Sequence, residues 1–160
     1  MGMRNIKVYA EHLREFSEQD LLNRALLNAS KVGDLDQIRS LLDRGAQVDA
    51  EDTYKQTSLH NAAWNGYTEI VMLLLDRGAQ VDAEDAWERT ALNYSVLREE
   101  LDDDHSTAKL LILRGADPSK EFDDMAALTR FFKGDIGWMP EELKSKLERR
   151  LRSRGAFGRF

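Results

Sequence analysis

The chain has 160 residues and a mass of 18.3 kDa, enough for one modest core and too little for two ordinary enzyme domains. Charged residues make up 32% and apolar ones 42%, which excludes an acidic disordered polymer and a membrane protein. Residues 141–160 hold seven Lys/Arg against three Glu, while residues 1–140 carry 16 basic and 26 acidic side chains, a balance that argues against a duplex-binding body and leaves only the tail suited to nucleic acid.

In chain order, the N-terminus enters charged sequence without an apolar signal core, so the expected compartment is cytoplasmic. Zero cysteines remove disulfides and thiolate chemistry. Two prolines and ten glycines beside abundant Leu, Ala, Glu and Arg favour helix. Ser17-Glu18-Gln19-Asp20 predicts a capping box ahead of Leu21, Leu22, Ala25, Leu26 and Leu27. Residues 41–52 read Leu-Leu-Asp-Arg-Gly-Ala-Gln-Val-Asp-Ala-Glu-Asp, and residues 74–85 repeat those twelve letters. The same displacement carries Gly33 onto Gly66, Ile38 onto Val71 and Thr57 onto Thr90. A third copy begins at Leu110, with about four extra residues placed in Arg98–Ser106.

Within one unit, Thr57 to Asn65 predicts a short helix opened by a threonine cap and ended by Gly66. Glu69 to Arg77 predicts a second helix closed by Gly78. The next residues, Ala79 to Arg89, are too few for another packed helix and suit a projecting hairpin loop. After the third unit, Met125, Ala126, Ala127, Leu128, Phe131 and Phe132 predict a covering helix, and Pro140 precedes a charged helix over Glu141–Arg152. The richest apolar run, Ile70 to Leu75, is far short of the roughly 20 residues that span a bilayer.

This unit resembles the ankyrin repeat. Thr57-Ser58-Leu59-His60 is similar to that family's Thr-Pro-Leu-His opening, and Ala62-Ala63 to its paired small residues. Gly66 to Val71 resembles the second-helix entry and Leu73 to Ala79 its exit. Ser58 and Ala91 replace the family's proline, Asn93 its histidine, and Lys55 and Glu88 stand where the hairpin usually has glycine. The resemblance covers roughly residues 20–120 and implies an all-α solenoid of about three repeats with hairpin loops and a C-terminal helical cap. The expected division is an N-terminal segment over 1–18, repeats over 19–51, 52–84 and 85–121, a cap over 122–152 and a basic tail over 153–160. Leu59, Ala62, Ala63, Ile70, Val71, Leu74 and Leu75 are the expected core, where Leu74→Ala should cost about 2–5 kcal/mol.

Catalysis finds no constellation. His12, His60 and His105 are the only histidines, no Gly-x-Ser-x-Gly occurs, and no phosphate-binding glycine loop is present. The resemblance implies that His60 bonds the neighbouring hairpin backbone. Asp102-Asp103-Asp104-His105 has poor spacing for a cation and reads as an acidic knob for a basic partner or an inert loop. No metal, cofactor or enzyme activity is therefore expected.

By resemblance, partners dock on hairpin tips and first-helix faces that together make a concave surface. Carried onto this chain, that surface includes Glu51, Thr53, Glu84 and Ala86, and its expected binding residues are Tyr54, Gln56, Trp64, Asn65, Trp87, Arg89, Leu97 and Arg98. Trp, Tyr and Arg are favoured anchors because they remove apolar area from water and keep a polar edge. The alternative for Tyr54 and Trp87 is packing between adjacent hairpins. The expected function is a non-catalytic module, monomeric by expectation, that binds another protein. The rival is nucleic-acid or acidic-partner binding through the tail from Arg149 to Phe160, which also suits an anionic membrane or a helix end complemented by its cations. An unrecognised enzyme and a self-assembling scaffold are weaker rivals.

Overall fold

The computed structural model describes residues 17–102, 104–123 and 125–155. Helix α1 (Glu18–Val32) begins where the Ser17 hydroxyl accepts from the Asp20 amide at 3.1 Å while the Asp20 carboxylate accepts from the Ser17 amide at 2.9 Å. Gly33 then turns the chain at φ 83°, a left-handed conformation that a side chain would strain. Helix α2 (Leu35–Asp43) runs back, capped by Asp34 on the Gln37 amide at 2.9 Å.

The second pair is α3 (Ser58–Asn65) and α4 (Thr68–Asp76), and the third is α5 (Ala91–Asp102) and α6 (Ser106–Leu113). Thr57 and Gly66 bound α3 as their cap chemistry requires, and α4 lies one residue earlier than the apolar spacing placed it. The four extra residues of the third unit are taken up by its first helix, since α5 has 12 residues and α3 has eight. A 3-10 turn at Pro118–Lys120 leads to α7 (Met125–Phe131) and α8 (Glu141–Gly155), which runs three residues past its expected end. Residues 156–160 of the expected basic tail and most of the expected N-terminal segment lie outside the described residues. Among the described residues there is no strand.

Two layers result. Helix α3 packs between α1 and α5, and α4 packs between α2 and α6, so each pair covers the apolar face of the next. Leu26, Ile38, Leu59, Ala62, Ala63, Val71, Leu74, Leu92 and Leu111 form the buried seam. Leu75 is half-buried rather than core, because a step of one residue turns it about 100° away from Leu74. At the C-terminal end, Phe122, Phe132, Met139, Leu147 and Leu151 are buried, and His105 lies 4.8 Å from the Phe131 ring centre.

Polar locks set the spacing between units. The Asp49 carboxylate accepts from the Gln80 amide and the Asp82 carboxylate from the Asp117 amide, both at 3.0 Å. Arg77 pairs with Asp43 at 2.9 Å and Arg114 with Asp76 at 2.6 Å. The Tyr67 ring covers Gly33, and the Arg98 guanidinium covers Gly66 so closely that a Cβ there would clash with Nη1.

Candidate recognition face

Each hairpin tip is built by one aspartate. The Asp52 carboxylate accepts from the Tyr54 and Gln56 amides at 2.8 and 3.0 Å while the Asp52 amide donates to the Gln56 carbonyl at 3.0 Å. Asp85 repeats the arrangement with the amides of Trp87 and Arg89 at 2.8 and 3.0 Å. Such side-chain-to-backbone bonds close a turn without a strand ladder. Both tips place a non-glycine residue at positive φ, Lys55 at 58° and Glu88 at 61°, where the resemblance had placed glycine.

Identical turns one repeat apart bring their aromatic residues together. Tyr54 and Trp87 stack with ring centres 5.5 Å apart, and the Ala86 amide donates to the Tyr54 carbonyl at 2.9 Å. The rings nonetheless keep 55% and 56% of their surface open. The Arg89 guanidinium carbon lies 4.7 Å from the Trp87 ring centre and 4.6 Å from that of Tyr94. Trp64, 47% exposed on α3, meets Tyr94 edge-on at 5.8 Å.

Beneath the rings lies a polar network. The buried Tyr94 hydroxyl donates to Asp85 Oδ2 at 2.6 Å and accepts from Gln56 Nε2 at 2.6 Å and from Arg89 Nη2 at 2.5 Å. Arg89 donates twice more to Asp85 Oδ2, at 3.2 and 3.1 Å. Burial alone would raise the Asp85 carboxyl, but the hydrogen bonds from Tyr94, from the Arg89 and Trp87 amides and from the Arg89 guanidinium bring it down to about 2. Burial and then the Asp85 charge push the Tyr94 phenol up to about 12. The network is therefore a charged pair held under a neutral phenol.

His60 Nδ1 accepts from the Thr57 amide at 3.1 Å, so Nε2 carries the proton and donates to the Arg89 carbonyl at 3.1 Å. Burial holds the ring below its ordinary value and keeps it neutral. Asn93 takes over the first of these bonds, its Oδ1 accepting from the Thr90 amide at 2.7 Å.

Among the eight expected binding residues, Tyr54, Trp64 and Trp87 form the open aromatic surface, with Gln56 and Arg89 partly buried in the network below. Asn65 donates from Nδ2 to the Asn61 carbonyl at 2.9 Å, Leu97 is 44% exposed on α5, and half-buried Arg98 lies against Gly66. Sequence reasoning missed Tyr94 and Asp85, which join the tip to the helices. Comparing units letter by letter gives one signal, since Tyr94 stands where the preceding unit has Asn61. Val32, 72% exposed on α1, was also missed. At the acidic stretch, Asp104 accepts from the Ser106 amide at 3.0 Å at the start of α6, and the Ser106 hydroxyl first and then that amide lower its carboxyl. No group of three His, Cys, Asp or Glu suited to a metal occurs among the described residues.

A family model described as ankyrin repeats in three copies matches residues 25–122. The chain belongs to the ankyrin-repeat family, whose repeats are in general protein–protein interaction modules and are typically non-catalytic. A search of curated proteins finds no match. No described helix is long and apolar enough to cross a membrane.

Proposed function

We propose that this chain is a non-catalytic module that binds a partner protein through its concave hairpin and first-helix face. One observation carries the reading. Of the eight large apolar side chains exposed among the described residues, Leu21, Val32, Tyr54, Trp64, Trp87 and Leu97 lie on the hairpins or on the layer of α1, α3 and α5 beside them, and Met72 and Leu113 on α4 and α6. Exposed rings of this kind on a prebuilt frame lose little conformational entropy on docking and supply anchors of large area. Tyr54, Trp64 and Trp87 are the anchors; Leu97 and Val32 extend the apolar line; Asn65 and Arg98 form its polar edge. Gln56 and Arg89 hold the anchors in position. In this reading the module acts as a monomer in the cytoplasm and needs no cofactor.

The test is companion capture. Purification of the chain with its cellular companions, read by mass spectrometry, identifies the partner. The Trp64→Ala, Trp87→Ala double variant then loses that partner. Each ring contact contributes about 0.5–1.5 kcal/mol, so the variant's melting midpoint falls by only several degrees. Retained capture, or collapse of the fold at ambient temperature, would overturn the reading in favour of rings that serve packing between hairpins.

A further inference from the structure

Charge on the hairpins is one-sided. Residues 46–56, 79–89 and 116–123 hold ten acidic side chains against three basic ones, while the whole chain's net charge is only −6. Several of these carboxylates are paired: Asp85 with Arg89, Glu84 with Lys120, and Asp117 with Arg150 at 3.3 Å. Exposed Glu51, Asp82, Glu88 and Asp123 have no ion pair among the described residues. Glu51 lies three residues before Tyr54 and Glu88 follows Trp87 directly, so carboxylates without an ion pair flank the stacked rings along the chain, although the Lys120 charge also reaches Glu88. Lys55 is the one exposed cation of those two tips.

We propose that the partner segment this face receives is cationic, with Lys or Arg on both sides of an apolar side chain that lies on the Tyr54–Trp87 stack. The inference rests on the recognition face proposed above and adds the chemistry of its occupant. Complementary charge steers such a segment to the ridge and disfavours acidic ones, while the rings supply the short-range contact. Aromatic faces also attract guanidinium and ammonium groups, which an acidic or neutral segment lacks. In the third hairpin, burial first and then Asp117 and Asp82 push the Glu121 carboxyl up to about 7.

Calorimetric titration of the full chain with three short synthetic peptides tests this. The peptides share a central Phe and differ in its flanks, which are Lys/Arg, Ser or Asp/Glu. The Lys/Arg peptide is expected to bind at least about tenfold tighter than the Ser peptide, and to weaken several-fold between about 50 and about 200 mM salt. Glu51→Gln with Glu88→Gln, two exposed changes, removes most of that advantage, and Trp87→Ala weakens the Lys/Arg and Ser peptides alike. Equal binding of the three, tighter binding of the Asp/Glu peptide or of a single-stranded oligonucleotide, or no binding by any peptide would overturn the proposal. If the Asp/Glu or Ser peptide binds best and Trp87→Ala still abolishes it, the charge inference fails and the face stands. If the Lys/Arg peptide binds regardless of Trp64→Ala and Trp87→Ala, the acidic ridge stands and the aromatic face fails. Self-association of the unliganded chain that disappears in the Glu51→Gln, Glu88→Gln variant would make the occupant a second copy and overturn an outside partner.

Discussion

Glu121 stands at the repeat position of Glu51 and Glu84, yet those two are exposed and Glu121 is half-buried at the end of the 3-10 turn. Its Oε2 has no hydrogen-bond partner and its Oε1 accepts from the Thr90 hydroxyl at 3.5 Å. Burial first, then Asp117 and Asp82, raise its carboxyl from 4.5 to about 7. A folded value above the unfolded one means that folding favours the protonated form, so this contribution is present below pH 4.5 and lost as pH rises through about 7. Glu121→Gln should therefore match the parent's melting midpoint near pH 4.5 and exceed it at alkaline pH, by roughly 1–2 kcal/mol after allowing for solvent screening. Parallel melting curves for the two chains across that range would show that the carboxyl ionises without cost. His60 acts in the opposite sense, its depressed value making stability fall as pH drops below 6.5, and this cancels in the comparison. Lys55 and Glu88 are strained for a different reason. Left-handed backbone costs an ordinary residue about 1–2 kcal/mol, whereas glycine's extra unfolded freedom costs about 0.4–1 kcal/mol. Lys55→Gly and Glu88→Gly should each stabilise the chain by up to about 1 kcal/mol in chemical denaturation, and Lys55→Ala should give no such gain.

At the scale of elements, α4 shows how three adjacent leucines divide their work. Leu74 is fully buried between layers, while Leu73 and Leu75 are half-buried on either side. Urea denaturation should show Leu74→Ala costing about 2–5 kcal/mol and Leu75→Ala about 1 kcal/mol. Equal losses would mean that α4 is rotated relative to this packing. The boundaries of α3 were readable from Thr57 and Gly66 because capping is a local transaction between adjacent residues. The fate of the insertion was not. Whether extra residues lengthen α5 or swell a loop depends on what the far end of the helix meets, and His105 meets Phe131 and Phe132, which arrive some 26 residues later in the chain.

Over the whole molecule, each helix pair leans on its neighbours alone, so stability is close to a sum of unit and interface contributions. The Asp43–Arg77 and Asp76–Arg114 pairs, and the Asp49 and Asp82 locks, recur at every step because the letters recur. That recurrence made the stack readable: a period near 33 residues with caps at fixed offsets admits one way of burying the apolar stripe. It also made the alignment of Tyr54 with Trp87 readable, since equal positions in stacked units face the same way. The sequence by itself thus determined the repeat, the helix caps and the side on which the rings emerge. Only the tertiary structure decided that Asp85, Arg89, Gln56 and Tyr94 meet beneath them, and that Glu121 is half-buried against Thr90. Those contacts join residues from different units, and their distances depend on how the layers settle against one another, which no local pattern encodes.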